Sequence, residues 1–239
     1  MGVSVDTKGN VVALRRHKFA ALLALLLASL VIQSFDARPG ADGLLSDVFR
    51  TVLGVAIFLV VFERRSERVI AFGILVVIVA IGWGRHFSPA RFDYALSLAL
   101  HGLMSLYLWV AVWVILRDLF RARAVGAETV LGAICGYLIA GDAWAGVNAL
   151  TYLLAPAVYS VNPDVNALVA DWHGRVALFS YYSFAQMLTI GYADVTPVRA
   201  PATTLSLLGA LFGLFYTAVV VSQFVGMAQS GRRETPGGQ

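Results

Sequence analysis

The segment 189–194, with the sequence Thr-Ile-Gly-Tyr-Ala-Asp, contains the residues whose types and spacing most clearly suggest a chemistry. A cation that leaves water must be compensated by oxygen atoms, and closely spaced backbone carbonyls can supply them. An extended stretch whose carbonyls all point to one side needs residues that tolerate left-handed backbone, as glycine does. Gly191 meets this requirement, Thr189 adds a hydroxyl oxygen, and Asp194 adds a carboxylate at the end of the segment.

A short apolar stretch, residues 176–190, leads into these oxygens. As a helix up to Leu188 it would span about 20 Å, whereas the hydrocarbon core of a bilayer is about 30 Å thick. Gly191 and Pro197 follow it, and neither continues a helix comfortably. A segment that enters a membrane as a helix and returns as irregular backbone has to line water or be buried in protein. The sequence therefore predicts a re-entrant loop here.

The composition of the whole chain is that of an integral membrane protein. Of its 239 residues, 59% are hydrophobic and only 13% are charged, against roughly 25% charged in soluble domains. The single cysteine, Cys135, excludes a disulfide framework and a cysteine zinc site. Six stretches have about the 20 residues that a membrane crossing needs: 18–35, 47–63, 68–84, 94–116, 126–155 and 202–228.

Lysine and arginine are distributed unevenly between the loops that join these stretches. With a cytoplasmic N-terminus and six alternating helices, twelve of the 18 basic residues fall inside and six outside. This bias predicts that both termini are cytoplasmic in a multi-pass protein of the plasma or bacterial inner membrane. The net charge of +4 is thereby explained by topology, and we expect no nucleic-acid partner.

The segment 189–194 resembles the Thr-Val-Gly-Tyr-Gly-Asp selectivity filter of potassium channels. The match extends outward on both sides. The residues Tyr-Tyr-Ser at 181–183 resemble the aromatic pair and serine of the pore helix in that family, and Asp-Val-Thr-Pro at 194–197 matches its Asp-x-x-Pro exit. The last helix, with Gly209, Gly213 and a Phe-Tyr pair, looks like the inner helix that lines the pore. The resemblance covers roughly residues 126–229.

The resemblance implies an all-α integral membrane fold that assembles as a homotetramer around a pore. Six transmembrane helices are expected, with a re-entrant pore helix and a selectivity-filter loop between helices five and six. The expected divisions are a cytoplasmic N-terminal segment (1–17), a four-helix peripheral domain (18–123), a pore domain (124–229) and a cytoplasmic tail (230–239).

The resemblance also implies what each filter residue does. Potassium, as the permeant ion, would bind at the carbonyls of Thr189, Ile190, Gly191 and Tyr192; Ala193 would form the outermost ring and Asp194 the pore mouth. The expected partners are further copies of this chain and the lipid bilayer. No cofactor and no enzymatic activity are expected.

Ala193 departs from the family pattern, in which a second glycine stands at this position. Left-handed backbone costs a residue with a Cβ about 1–2 kcal/mol, hence about 4–8 kcal/mol over four subunits. Two outcomes follow: neighbouring contacts hold the strained conformation, or the carbonyl of Ala193 points elsewhere. In the second case we expect a weakly selective cation channel.

Helix four contains no lysine or arginine between residues 94 and 116. A voltage sensor moves several such charges through the membrane field. The sequence therefore predicts a channel that is not voltage-gated.

Asp142 lies midway along helix five, where an ionisable residue is costly and by default functional. Counting along the helices places His101 at a similar depth. One interpretation is a modulatory pair linked by protonation. The other is a neutral Asp142 that is hydrogen-bonded to Ser183, to Gln186 or to a backbone carbonyl.

Three further interpretations remain open at this stage. Gly209 and Gly213 are four residues apart, which is typical of close helix packing but also compatible with a gating hinge. Residues 191–194 superficially resemble the Gly-x-Gly-Asp signature of intramembrane aspartyl proteases, with Asp142 as second carboxylate, although such chemistry needs the two groups within hydrogen-bonding reach. A non-conducting auxiliary subunit is the third.

Overall fold

The structure, a computed structural model, describes residues 18–36, 43–122, 126–191 and 194–233, with side chains up to residue 226. Seven α-helices and two short strands lie in these ranges. The helices are α1 (Lys18–Asp36), α2 (Leu44–Val61), α3 (Arg65–Gly84), α4 (Asp93–Arg121), α5 (Ala127–Leu154), α6 (Trp172–Met187) and α7 (Ala202–Arg233), and the strands are β1 (Tyr159–Val161) and β2 (Val195–Pro197).

Every helix except α6 is long and apolar enough to cross a membrane, so six such helices are present in the described ranges. The prediction of six apolar helices is confirmed at this level. Their ends differ from the predicted ones by a few residues. Among the first five membrane-spanning helices, the end that differs most from the prediction is the C-terminal end of α4. This helix continues to Arg121 because Arg117 forms ion pairs with Glu67 and Asp118 at its polar end.

The core lies where α5 packs against α4, α1 and α6, with α7 on a further side of α5. Small residues let the backbones approach closely, as is common where helices pack within membranes. Ala140 and Ala143 of α5 are completely buried, as is Ala111 of α4. The helix that carries Asp142 is therefore the central one in the chain.

Helix α6 is the exception in length, with 16 residues. These span about 24 Å, less than the roughly 30 Å of a hydrocarbon core. It begins four residues before the predicted apolar stretch because the Asp171 side chain caps it, accepting a hydrogen bond from the Gly174 N–H at 2.6 Å.

The residues that precede α6 and those that follow it pair with each other. Strand β1 precedes α6 and β2 follows it, and the two pair antiparallel with Ser160 opposite Thr196. Helix α6 and the residues after it therefore lie between the two strands of this small sheet. The segment 189–194, from which the sequence predicts cation binding, belongs to this connection between β1 and β2.

Candidate functional site

The end of α6 is closed by a hydrogen-bonded cap that turns the backbone N–H groups of the next residues back toward the helix. The Thr189 N–H donates to the Gln186 carbonyl at 2.9 Å, and the Ile190 N–H donates to the Ala185 carbonyl at 2.8 Å. This is the pattern of a Schellman motif, whose left-handed position is usually occupied by glycine. The Gly191 N–H also donates to Ala185, at 3.3 Å. Three successive donors are thus directed back toward α6.

Left-handed backbone occurs at two alternate positions of this segment. Gly191 has φ +68°, as the sequence predicts, and Thr189 has φ +57°. A β-branched residue in this region is strained, because its Cβ crowds the following carbonyl. The sequence analysis expected left-handed backbone at Gly191 and considered it at Ala193, so it missed Thr189. The signal in the sequence was the helix end itself, which commonly requires one residue of this conformation.

The segment is exposed in the single chain. The side chains of Leu188 and Ile190 are about half exposed, at 53% and 50%. The Thr189 hydroxyl donates to the Leu188 carbonyl at 2.7 Å, which leaves its own oxygen able to accept or coordinate. Within the described ranges, no donor reaches the carbonyl oxygens of 189–191. The arrangement presents oxygen atoms with their N–H partners already bonded.

The structure describes only some of the remaining candidate residues. Tyr192 and Ala193 lie outside the described residues. Asp194 lies where the chain enters β2, and its backbone carbonyl accepts a hydrogen bond from the Asn162 N–H at 2.9 Å. Asp142 lies on α5 against α6 and has a different set of neighbours. These surroundings disfavour the paired carboxylates that an aspartyl protease needs.

The end of α6 reaches the middle of the long helices beside it. A Cβ on Gly213, near the middle of the apolar span of α7 (Ala202–Gly226), would lie 2.3 Å from the Met187 carbonyl oxygen. A Cβ on Gly141, near the middle of α5, would lie 2.2 Å from the Phe184 ring. Among the described residues, Gly209 has only the Trp144 ring near it, at 3.8 Å. Gly213 therefore permits close approach of the α6 backbone, and residues 188–191 start about halfway along the apolar spans of α5 and α7.

We expect Gly213→Ala to destabilise the packing of α6 on α7, whereas Gly209→Ala leaves it intact. The added methyl group at 213 meets rigid backbone, and overpacking of this kind costs about 1–3 kcal/mol. Thermal unfolding of the purified protein in detergent measures both variants. Equal melting temperatures for the two would contradict the close contact with Met187.

Two hydrogen-bonded groups hold the C-terminal half of α6 in place. Asn148 of α5 donates to the Ser183 hydroxyl at 3.2 Å and accepts from the Tyr159 hydroxyl at 2.7 Å. On the other side, the Tyr182 hydroxyl bonds to the Ser206 hydroxyl of α7. Burial raises the pKa of the Tyr159 phenol, so this group stays protonated and able to donate. The sequence analysis missed Asn148, although an asparagine inside an apolar helix was an available signal.

The first turn of α6 is attached to the peripheral helices. Arg175 is 5% exposed; it donates to the Val169 carbonyl at 2.8 Å and to the Ser97 hydroxyl of α4 at 3.2 Å. Arg175 is one of the six basic residues that the topology prediction assigns to the outer side, and the structure shows that its side chain is part of a buried hydrogen-bonding group. His173 bonds to Asp47 of α2 at 3.1 Å. Both ends of α6 are thus fixed by polar contacts that join elements distant in the sequence.

Asp142 and His101 line one cavity of about 50 Å³, together with Arg50 of α2. Asp142 accepts a hydrogen bond from Ser180 of α6 at 3.1 Å. Of the partners that the sequence suggested, Ser183 is instead bonded to Asn148. Within the described ranges, no hydrogen bond joins Asp142 to His101 directly.

No family model, curated protein or solved structure matches this chain. Among the residues that the structure describes, no group of three or more histidine, cysteine, aspartate or glutamate side chains is arranged to hold a metal ion. The functional assignment therefore depends on the geometry of residues 188–191 and on the sequence of the segment 189–194.

Proposed function

We propose that this chain forms a homotetrameric, potassium-conducting channel that is not voltage-gated, with residues 189–194 as its selectivity filter. The observation that carries the proposal is an exposed, non-helical segment with left-handed backbone at Thr189 and Gly191, located about halfway along the apolar spans of α5 and α7.

The first argument is the cost of such a segment in lipid. Irregular backbone at membrane depth is tolerated only where it is buried in protein or lines a water-filled space. Residues 189–191 are exposed in the single chain, so other copies of the chain or a hydrated pore must cover them. A ring of identical segments satisfies both conditions, because each copy contributes oxygens toward a shared axis.

The second argument is electrostatic. The C-terminal end of a helix carries a partial negative charge of roughly half an elementary charge, which favours nearby cations. Helix α6 ends at Met187, immediately before the exposed residues 188–191. Its last carbonyls are partly neutralised by the cap, but the direction of the remaining dipole still favours a cation over an anion.

The third argument concerns the surface available to further copies. The side chains of Leu188, just before the candidate filter, and Ile190, within it, are exposed, and α7 exposes Leu214 and Phe215 just beyond Gly213. An apolar surface at this exposed segment is consistent with packing of a second copy, with lipid covering the remaining faces. The tetramer, the re-entrant course of α6 and the cytoplasmic position of both termini in a plasma or inner membrane are parts of this proposal.

The test is to purify the protein, measure its mass as an intact assembly, and reconstitute it into liposomes loaded with potassium. We expect a fourfold assembly and a potassium flux that exceeds the sodium flux. A tetramer with equal fluxes would favour the weakly selective channel, and a tetramer without flux would favour the auxiliary subunit. A monomer would contradict the proposal.

Voltage dependence is a separate expectation. Residues 94–116 of α4 carry no basic side chain, and Arg117 beyond them is already ion-paired with Glu67 and Asp118. We expect the open probability in planar bilayers to change little with voltage, since residues 94–116 of α4 carry no basic charge that could move through the field. A slope equivalent to several gating charges per channel would contradict this expectation.

A further inference from the structure

The cavity that Asp142 and His101 line is enclosed by α1, α2, α4, α5 and the first half of α6. Its volume of about 50 Å³ has room for a few water molecules. Much of its wall is apolar, but polar side chains enter it from every one of these helices: Ser29, Gln33, Arg50, His101, Asp142 and Ser180. A dry cavity is normally lined by apolar groups alone, so this composition favours water.

Two of these side chains carry atoms that need a partner. The Gln33 Oε1 and the His101 Nε2 are buried, and within the described part of the chain neither has a hydrogen-bond partner. The residues themselves are 8% and 2% exposed. Buried polar atoms are bonded to protein or to ordered water in the great majority of cases, because leaving one unpaired costs about 1–3 kcal/mol. The two unpaired atoms therefore indicate that water occupies the cavity that they line.

The same cavity is lined by groups that can carry opposite charges. Arg50 and Asp142 both line it, and the charge of Arg50 acts on Asp142. The other titratable groups on this wall are His101 and Tyr107 of α4, whereas α1 contributes none. Arg85 and Arg175 also act on His101 from outside the cavity. An ionised carboxylate in such a place needs a cation and additional hydrogen bonds to offset its desolvation.

A second cavity of about 50 Å³ lies next to the first, toward the N-terminal end of α2. It shares Arg50 and Tyr107 with the first cavity and extends to Asp47. Asp47 is bonded to His86, whose side chain is one-third exposed. Polar side chains thus line both cavities, from Asp47 near the surface to Asp142 inside.

We propose that the first cavity is a water-binding site that links Arg50 and His101 to Asp142, and that protonation of Asp142 through this water weakens the attachment of α6 and reduces conduction. The attachment in question is the hydrogen bond from Ser180 to Asp142. A hydrogen bond to an ionised carboxylate is roughly twice as strong as one to a neutral group. The final step, from α6 to conduction, rests on the proposed channel function.

The water is tested by X-ray hydroxyl-radical labelling of the assembled wild-type protein, which modifies buried side chains that contact ordered water. Trp172 lines the cavity and is 5% exposed, whereas Met187 is 2% exposed and does not line it. We expect Trp172 to be labelled at least several times faster than Met187, although methionine is intrinsically highly reactive. Ser29→Leu, which fills the cavity, is expected to slow the labelling of Trp172. Labelling of Trp172 no faster than Met187 would overturn the site.

The protonation step is tested by infrared spectroscopy and by current. We expect the wild-type protein to gain an infrared band of a buried protonated carboxyl as the pH falls, and Asp142→Asn to lack this band. In planar bilayers we expect the wild-type current to fall about tenfold between about pH 8 and about pH 5, which corresponds to about 1.4 kcal/mol. Asp142→Asn should give a low current that no longer depends on pH.

Asp164→Asn is the matched control, because Asp164 is exposed on the short 3₁₀ segment before α6. This variant is expected to retain the infrared band and the wild-type pH dependence. His101→Gln should shift the midpoint of the wild-type titration but have no effect in the Asp142→Asn background, since the two residues act through the same water. A titration that persists in Asp142→Asn would overturn the role of Asp142.

The experiments distinguish a failure of the hydrated site or its coupling from a failure of the channel function. Labelling of Trp172 and loss of the infrared band in Asp142→Asn, in a protein that carries no current, would support the hydrated site and overturn the channel function. A potassium current with no dependence on pH would support the channel function and overturn the coupling from Asp142.

Discussion

Gly191→Ala is expected to lower the ratio of potassium to sodium permeability by at least tenfold, or to abolish the current. Gly191 has φ +68°, a conformation that costs a residue with a Cβ about 1–2 kcal/mol, or about 4–8 kcal/mol over a tetramer. That total is comparable with the stability of a whole domain, so the filter would change conformation instead of holding the strain. Reversal potentials with potassium on one side and sodium on the other measure the ratio.

The origin of this effect can be isolated because, among the residues that the structure describes, no atom lies within 4 Å of where a Cβ on Gly191 would be. The expected change thus comes from backbone conformation and not from a clash with the described part of the chain. Gly73→Ala is the matched control, since Gly73 of α3 likewise has open space around it but an ordinary helical φ. We expect Gly73→Ala to retain the wild-type ratio. A wild-type ratio in Gly191→Ala would mean that 189–194 is not the filter.

The sequence was sufficient to predict the six apolar helices because the length of an apolar run is a local property. The short length of α6 could also be predicted, for the same reason. Its first residue could not, because the signal was a single capping side chain, Asp171, which precedes the apolar run by several polar and mixed residues. The left-handed Thr189 was missed because it depends on how the helix ends, and residue type alone favours other conformations.

The surroundings of α6 were largely beyond a reading of the sequence. Asn148, Ser183 and Tyr159 form one hydrogen-bonded group, but they lie on three different elements. Arg50 and Asp142 share a cavity although they are far apart in the chain. Hydrophobic periodicity indicates which face of a helix is buried, yet it carries no information on which helix covers that face. The sequence analysis therefore identified Asp142 as unusual but did not find its partners.

The same contrast between local patterns and long-range contacts explains why the sequence predicts the candidate filter but not the contacts that position it. The filter is a contiguous run of residues, so its oxygens and its glycine can be recognised together. The contact that sets its position, between Gly213 and Met187, joins residues on two helices. Only the structure distinguishes Gly213, which admits the α6 backbone, from Gly209, which has a loose contact with Trp144.

Ala193→Gly is expected to raise the ratio of potassium to sodium permeability above that of the wild-type protein. Ala193 lies outside the described residues, and the expectation comes from its place in the motif, where the resemblance implies glycine. If alanine turns its carbonyl away from the pore, one ring of oxygens is lost at the outer end of the filter. Glycine adopts left-handed backbone without the cost of about 1–2 kcal/mol per subunit, so it would restore that ring.

The same bi-ionic reversal potentials that test Gly191→Ala measure this change, and the two variants should move the ratio in opposite directions. That opposition is the sharpest feature of the filter hypothesis, because a general effect on folding or expression would lower the current in both without increasing selectivity in either. A wild-type protein that is already strongly potassium-selective, with no increase in Ala193→Gly, would contradict the strain argument. In that case alanine is held in the filter conformation by its neighbours, and the packing of Tyr182 against Tyr159 and Ser206 behind α6 is the part of the structure to alter next.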